Sequence, residues 1–313
     1  MRIAIYGTGG VGGYFGGRLA QAGNEVSFIA RGEHLRALND TGLRVESLKG
    51  DFILSPVNAT DNPSQLGTVD VVIVGVKAWQ VIDAARAMRP LIGADTVVLP
   101  LQNGVEASEQ LSSILGEVHV LGGLCRIVSY LAGPGHIRHA GFEPSVALGE
   151  LNNRLSARVE RLREMFAKAG VIVEVPPDIH SALWSKFLFI SAYGGVGAVT
   201  QAPAGVLRRL SQTRSLMERA MQEIYSVAQA KAIRLPADAL AQALATLDKL
   251  PENATSSLQR DVLAGRPSEL EAQTGAVVRL GAAVNVNTPV NSFIYDSLVA
   301  LELKARGELS FPQ

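Results

Sequence analysis

Cysteine is almost absent: Cys125 is the only one in 313 residues. A single thiol excludes an internal disulfide and fits a reducing compartment, so a cytoplasmic protein is expected. In a chain of this kind Cys125 reads as a small buried hydrophobe. An excess of either charge is also missing. Lys plus Arg and Asp plus Glu are both 29, giving a formal net charge of zero. That excludes the basic footprint of a nucleic-acid binder and gives no reason to expect an acidic partner. His34, His119, His136, His139 and His180 lack metal-ligand spacing, so no metal is expected. There is no Gly-x-Ser-x-Gly elbow, and Cys125 has no histidine in a recognisable motif. The opening residues Ile3–Tyr6 are too short for a secretory leader. The uncharged run 187–207 contains Ser191, Tyr193, Gly194, Gly195, Gly197, Thr200, Gln201 and Pro203. It reads as a buried helix rather than a membrane span.

What is present begins at the N-terminus. Met1–Tyr6 reads as a buried strand, followed without a gap by Gly7-Thr8-Gly9-Gly10-Val11-Gly12. A helical pattern through Tyr14, Phe15, Leu19 and Ala20 comes next, then a second strand, Val26–Ala30, ending in Arg31. Strand, Gly-x-Gly-x-x-Gly, helix and strand together form a dinucleotide-binding fingerprint. Gly7 permits the tight turn and Gly9 leaves room for the pyrophosphate. Gly12 lets the helix pack close to the sheet, and the helix N-terminus faces the phosphates. An NAD enzyme usually places a carboxylate at the end of the second strand. Arg31 stands there instead, which suits a 2′-phosphate and favours NADP. Glu33 is the complication, and its plain reading is a first-turn helix acid.

The first half alternates strands and helices. Leu43–Val57 reads as a hairpin around Lys49-Gly50-Asp51, and Val71–Val74 as a strand buried on both faces. Lys77 lies just past that strand. Thr96–Leu101 is a further strand leading to Gln102-Asn103-Gly104. More strands are expected at Val118–Leu121, His136–His139, Val146–Leu148 and Val171–Val175, with a helix at Leu155–Lys168. Pro176-Pro177 marks a boundary. Beyond it helices are expected from Ile179 to about Thr200 and over Leu210–Ala230, Ala237–Leu247, Glu269–Val284 and Val290–Arg306. Met217, Met221, Ile224 and Ala228 form an ordinary core stripe. Thr288-Pro289 reads as a helix start with a capping hydroxyl. The expected architecture is α/β: a doubly wound dinucleotide-binding domain over 1–176, then an all-helical domain over 177–313. In such folds ligands sit outside the carboxyl ends of the strands, facing the second domain.

Lys186 lies in Leu183-Trp184-Ser185-Lys186-Phe187-Leu188-Phe189-Ile190, the last charge before the uncharged run. A lysine held among apolar groups is a better proton donor near neutral pH; the alternative is a lysine snorkelling from a buried helix. Glu269 follows Pro267-Ser268, so it is either a functional acid or a first-turn acid behind a serine cap. Asn103-Gly104 also reads as a turn. Ser256 and Ser257, near Asp261, read as a cap and a first-turn acid.

Taken together, these segments resemble the ketopantoate reductase (2-dehydropantoate 2-reductase) family. The resemblance rests on Gly7–Gly12 with Arg31, Val76-Lys77-Ala78-Trp79-Gln80-Val81 and Gln102-Asn103-Gly104. It continues through 133–141 (Gly-Pro-Gly-His-Ile-Arg-His-Ala-Gly), Ala182-Leu183-Trp184-Ser185-Lys186, and Ser256-Ser257 to Gly265-Arg266-Pro267-Ser268-Glu269. It implies a Rossmann domain followed by a helical domain like that of 6-phosphogluconate dehydrogenase. It also implies NADPH-dependent reduction of ketopantoate to pantoate, in pantothenate biosynthesis. Lys186 would be the proton donor and Glu269 the acid beside the nicotinamide. Asn103 would touch cofactor and substrate, Lys77 the cofactor, Arg31 its 2′-phosphate and Ser257 the substrate carboxylate. Gly7, Thr8, Gly9, Gly10, Val11 and Gly12 would form the phosphate loop. Related two-domain dehydrogenases pair through the helical domain, so a homodimer is the expectation, with a small 2-oxo acid as the other partner and no membrane.

Departures from the family pattern cluster at the substrate end. Ile190, Gly194 and Ala204 replace substrate-holding asparagines, and Thr274-Gly275 replaces an Asn-Gly pair. That implies a roomier, less polar pocket, with Tyr193 as a replacement hydroxyl. Two alternatives follow: the same chemistry on a less polar 2-oxo acid or carbonyl, or a non-catalytic NADP-binding regulatory protein. An NADP-dependent dehydrogenase working oxidatively is a third.

Overall fold

A computed structural model of the chain describes residues 1–311. The chain divides into two compact units. The first comprises Met1–Gln102 and Glu106–Ile179; the second comprises Asn103–Val105 and the chain from His180 onward. The division falls after Ile179 rather than at Pro176-Pro177 because Ile179 fits against Gly122 and Gly149 of the first unit. A methyl group on Gly122 would stand 2.5 Å from Ile179 Cγ1.

The first unit carries strands β1 (Arg2–Tyr6), β2 (Glu25–Ile29), β3 (Leu43–Ser47), β4 (Phe52–Leu54) and β5 (Asn58–Thr60). It continues with β6 (Val71–Val74), β7 (Val97–Pro100), β8 (Leu121–Gly133), β9 (His136–Glu150) and β10 (Ile172–Glu174). Its helices are α1 (Gly10–Gln21), α2 (Gly32–Thr41), α3 (Val81–Ala87), α4 (Ala107–Leu115) and α5 (Ala157–Lys168). Five strands form an all-parallel sheet in the order β5-β2-β1-β6-β7. Chain order reverses direction between β1 and β6, the switch point at which such sheets place ligands. Alternation along β1 feeds two cores. Ile3 and Ile5 pack with Phe15, Leu19 and Phe28 on one face, while Ala4 and Tyr6 pack with Val72, Val74, Met88 and Leu91 on the other. Burying each of the larger side chains contributes about 1.5–3 kcal/mol.

A second sheet runs β10-β9-β3-β4, with β8 paired to β9. Two expectations are corrected here. His136–His139 and Val146–Leu148 belong to one long strand, β9, that changes neighbour along its length. It pairs with β3 over His136–His139 and with β10 over Ser145–Ala147. Pro144 falls between those segments, where the β8–β9 register also shifts, so its missing N–H removes no ladder bond. Val118–Leu121 is not a strand: Glu117–His119 forms a 3-10 turn, Val120 makes one bridge to Val98, and the strand begins at Leu121.

The second unit is helical: α6 (Ile179–Thr200, whose first residue closes the first unit), α7 (Ala204–Arg209), α8 (Ser211–Ala230) and α9 (Ala239–Lys249). After them come α10 (Ser257–Leu263), α11 (Ala276–Ala283) and α12 (Pro289–Ala305). Trp184, Phe187 and Val196 of α6 meet Met217, Met221, Ile224 and Ala228 of α8 and Ile294 and Leu298 of α12. Among the described residues, α6 is long and apolar enough to cross a membrane, but 67% of its most apolar window is buried inside the fold.

The expected Glu269–Val284 helix is also corrected. It starts as a π-helical turn, Glu271–Gly275, in which Gly275 N–H donates to the Leu270 carbonyl at 2.9 Å. Ser268 and Glu269 lie outside the helix. The start of α12 differs too: Thr288 gives no side-chain cap. Glu223 of α8 reaches across instead, accepting from Val290 N at 2.8 Å and Asn291 N at 2.9 Å.

Candidate functional site

In the first unit the glycine-rich loop is tied to the end of β2. Gly7 N and Thr8 N both donate to the Ile29 carbonyl at 3.2 Å, and Thr8 Oγ1 donates to it at 3.1 Å. Gly7 has φ +98, and a side chain there would also meet Val76 N at 2.7 Å. A methyl group on Gly12 would stand 2.1 Å from the Gly7 carbonyl oxygen, so only glycine lets α1 start this close to the turn. Gly9 is different. Nothing lies within 4 Å of where its Cβ would be. The loop is therefore closed on the sheet side at Gly7 and Gly12 and open at Gly9. The first N–H groups of α1 have no intrahelical acceptor, and Gly9 supplies no side-chain cap. An open face beside unsatisfied N–H groups and a positive dipole end suits a phosphate.

Arg31 and Lys77 follow the carboxyl ends of the two strands that flank β1. Arg31 is exposed at the N-cap of α2, and Glu33 occupies the first turn of that helix. Burial pushes the Tyr6 phenol up, while the neighbouring Arg31 guanidinium pulls it down. The Lys77 ammonium lies 5.8 Å from the Trp79 ring centroid. Gln102, which is 6% exposed, fixes the same region: its Nε2 donates to the Val74 carbonyl at 2.8 Å and the Val76 carbonyl at 3.0 Å. His34 Nδ1 accepts from Gly135 N–H at 2.9 Å. Burial holds its pKa below the usual histidine value, with the nearby Thr8 backbone acting the other way. Cys125, a residue of β8, is buried, its thiol 3.5 Å from the Leu101 carbonyl.

The second unit gathers the acid and amide. Gly104 has φ +104, and its missing side chain leaves room for the Ala272 carbonyl. That close approach carries Asn103 to Glu269, where Asn103 Nδ2 donates to Oε2 at 3.1 Å. Glu269 is buried, and its loop is held from α12. Glu302 accepts from Ser268 N at 3.0 Å and from Ser268 Oγ at 2.5 Å. Arg306 pairs with Glu302 at 2.6 Å and donates to the Ser268 carbonyl at 3.1 Å. Lys186 sits half-buried on α6, in line with Ile190 and Gly194 at four-residue spacing. Ser256 is the α10 cap, accepting from Gln259 N at 3.0 Å, and Ser257 is the half-buried first helical residue. Asp261 pairs with Arg266 at 2.9 Å. Ala204 is fully buried. Tyr193 is buried as well; its hydroxyl has no partner, and burial raises its pKa to about 12.

Sequence reading gave no task to Gln102 or His34 and did not single out Glu302 or Arg306. Each acts on backbone far away in the chain, and no local pattern announces such a bond. Among the described residues there is no group of three or more His, Cys, Asp or Glu side chains that could hold a metal.

Comparison with known proteins decides the kinship. Residues 3–153 match the family model "Ketopantoate reductase PanE/ApbA", and residues 178–302 match its C-terminal counterpart. The chain belongs to the ketopantoate reductase family. It is thus an oxidoreductase of a family acting on CH–OH and C=O groups. It is 32% identical to a 2-dehydropantoate 2-reductase of Nostoc sp., over 99% of this chain and 98% of that one. The crystal structure of a ketopantoate reductase from Ralstonia eutropha is 35% identical and matches with a TM-score of 0.90, over 98% of this chain and all of that one (100%). A D-mandelate dehydrogenase solved with NADH is 25% identical, with a TM-score of 0.87, over 97% of this chain and 100% of that one. The family is one of nicotinamide-dependent reductases with a parallel-sheet domain and a helical domain, the fold expected from the sequence.

Proposed function

We propose that this chain is an NADPH-dependent reductase of a 2-oxo acid, with ketopantoate the first substrate to test. The observation that carries the proposal is the Asn103–Glu269 hydrogen bond. It brings together two residues 166 positions apart, and both belong to the unit that also holds Lys186. A buried carboxylate fixed by an amide, with a lysine on a neighbouring helix, is a set suited to carbonyl reduction. The ammonium can stabilise and protonate an oxygen that is becoming an alkoxide.

The first unit fits the cofactor. Gly7–Gly12 would hold the pyrophosphate, on the open face at Gly9. Arg31 would take the 2′-phosphate and Lys77 the neighbouring part of the dinucleotide. When bound, NADPH supplies the hydride. Thr8 acts through its bond to Ile29 and keeps the loop in shape. In the second unit, Lys186 would hold the proton, Asn103 and Glu269 would orient the reacting end, and Ser257 would bind the substrate carboxylate. A homodimer in the cytoplasm is the expected setting.

A second reading, the same chemistry on a less polar 2-oxo acid, is favoured by one observation. Ile190, Gly194 and Ala204 offer no hydrogen-bonding side chain along α6 and α7. A single set of assays tests both readings: nicotinamide oxidation with ketopantoate and with apolar 2-oxo acids, using NADPH and NADH. Turnover with NADPH is expected, and Lys186→Ala should lower kcat about 10²–10⁴-fold without weakening cofactor binding. Arg31→Ala should cost about 2 kcal/mol in NADPH binding, near thirtyfold, and leave NADH little changed. Absence of cofactor-dependent turnover, or survival of full activity in Lys186→Ala, would leave a non-catalytic NADP-binding protein as the better account.

A further inference from the structure

Three glycines of α6 are met by polar side chains. A methyl group on Gly194 would stand 3.1 Å from Gln273 Oε1, one on Gly195 3.0 Å from Thr274 Oγ1, and one on Gly197 2.8 Å from Gln259 Oε1. The glycines make room for these polar heads. Gln259 has an evident task, since its Nε2 donates to the Ala202 carbonyl at 3.1 Å. Gln273 and Thr274 have none. Both are fully buried at 0% exposure. Neither amide atom of Gln273 has a hydrogen-bond partner, and neither has Thr274 Oγ1. A buried polar group left unsatisfied costs about 1–3 kcal/mol, and folded proteins keep few of them. Leucine and valine would fill the same space without that cost. A glutamine and a threonine kept here call for a polar guest.

Their position says which guest. Gln273 N–H donates to the Glu269 carbonyl at 3.0 Å, so the glutamine stands one turn beyond the acid. The π-helical turn inserts its extra residue in this segment, and such turns are frequent at functional sites. On α6, Gly194 lies two turns beyond Lys186 in the same row, about 12 Å along the helix axis. Two rows therefore run through this unit. Each begins with a group proposed for chemistry, Lys186 or Glu269, and they meet at the Gln273–Gly194 contact.

We propose that Gln273, assisted by Thr274, is the specificity determinant for the far end of the substrate. Its amide, which can both donate and accept, pairs with a hydroxyl or amide carried by the 2-oxo acid beyond its reacting carbonyl. This rests on the 2-oxo acid reductase reading above and deepens it. The polarity missing at Gly194 is supplied from the opposite element, which favours a polar-tailed 2-oxo acid over the less polar one of the second reading.

The test compares hydroxyl-bearing 2-oxo acids with apolar ones of similar size, in the full-length protein with NADPH. Gln273→Leu should lower kcat/KM for the hydroxylated acids about ten- to a hundredfold, chiefly through KM. Apolar acids and NADPH affinity should change little, and the melting temperature should hold or rise. Binding of the corresponding 2-hydroxy acids to the NADP complex, followed by calorimetry, should show the same loss without turnover. A relocation guards against misfolding. Gly194→Asn with Gln273→Ala places an amide on the other side of the same space and should recover the preference that Gln273→Ala alone loses. Equal effects on both acid classes, or a double variant no better than Gln273→Ala, would reduce Gln273 to a packing or water-holding residue. That outcome, with normal wild-type turnover, overturns this inference alone. A wild-type protein that reduces no 2-oxo acid overturns the function and the inference together.

Discussion

The two units use their polar groups differently. Around the glycine-rich loop Thr8, Gln102 and His34 each tie a side-chain atom to the fold, with Gln102 Oε1 and His34 Nε2 left over. Thr8 bonds Ile29, Gln102 bonds the carbonyls of Val74 and Val76, and His34 bonds Gly135. What the loop leaves open to a ligand is backbone. In the helical unit the backbone is spent in helices, and side chains such as Gln273 and Thr274 are left without partners. A site made of backbone depends on where glycine is allowed, and glycine patterns show in a sequence. A site made of side chains changes with single substitutions. This is the physical reason that the loop end is the easier of the two to read from a sequence.

The sharpest way to break this comparison is through two glycines of one loop. Gly12→Ala pushes a methyl group into the Gly7 carbonyl, at 2.1 Å, and against Ile5 Cγ2, at 2.9 Å. The backbone must move, at about 3 kcal/mol or more. Both the melting temperature without cofactor and NADPH affinity should fall. Gly9→Ala meets nothing within 4 Å, so the protein alone should stay near wild-type stability while NADPH binding weakens. Thermal unfolding with and without NADPH separates the two. Equal stability losses in both variants would mean that the loop is not preset by backbone.

The same division explains what the sequence disclosed. The strand Val71–Val74 was legible because a parallel strand buried on both faces is a continuous apolar run. β9 was read as two pieces because Pro144 interrupts the pattern, and only the change of neighbour there makes proline acceptable. The π-helical turn at Glu271–Gly275 escapes any reading by helical period, since one residue is added without altering composition. The true cap of α12 is Glu223, which lies 67 residues before Val290. Asn103 and Glu269 each had a bland local reading as a turn and a first-turn acid. Resemblance to a family named both, but their contact exists only in three dimensions. Gln273 drew no notice, because nothing local marks a glutamine as unpartnered.

Glu302 offers an intermediate test. Its buried carboxylate accepts from Ser268 N and Oγ and pairs with Arg306. It shapes the loop that carries Glu269 from α12. Glu302→Ala removes these bonds and strands the Ser268 donors, a loss of about 2–3 kcal/mol in stability. Because the loop belongs to the second unit, kcat should fall far more than NADPH affinity. Glu302→Gln should recover part of both losses, since an amide oxygen can still accept from Ser268. A variant that loses NADPH affinity in step with kcat would show that the two units are not separable in this way.

The smallest expected effect lies in the first unit and depends on pH. His34 Nδ1 accepts a hydrogen bond from Gly135 N–H, so the neutral ring is the one the fold uses. Burial lowers its pKa from the ordinary 6.5, and the nearby Thr8 backbone recovers only part of the shift. Below that ordinary value the unfolded chain binds the proton before the folded chain does. Stability therefore rises with pH across this window. The contribution of His34 is complete above pH 6.5. It is lost as pH falls through the lower folded value. Protonation turns Nδ1 into a donor facing the Gly135 N–H, which loosens the tie between that hairpin turn and the glycine-rich loop. NADPH affinity and melting temperature should both decline as the solution is acidified, and His34→Gln should remove that part of the decline. Parallel pH profiles for wild type and variant would show that the loop does not depend on this histidine and is held by its glycines and Thr8 alone.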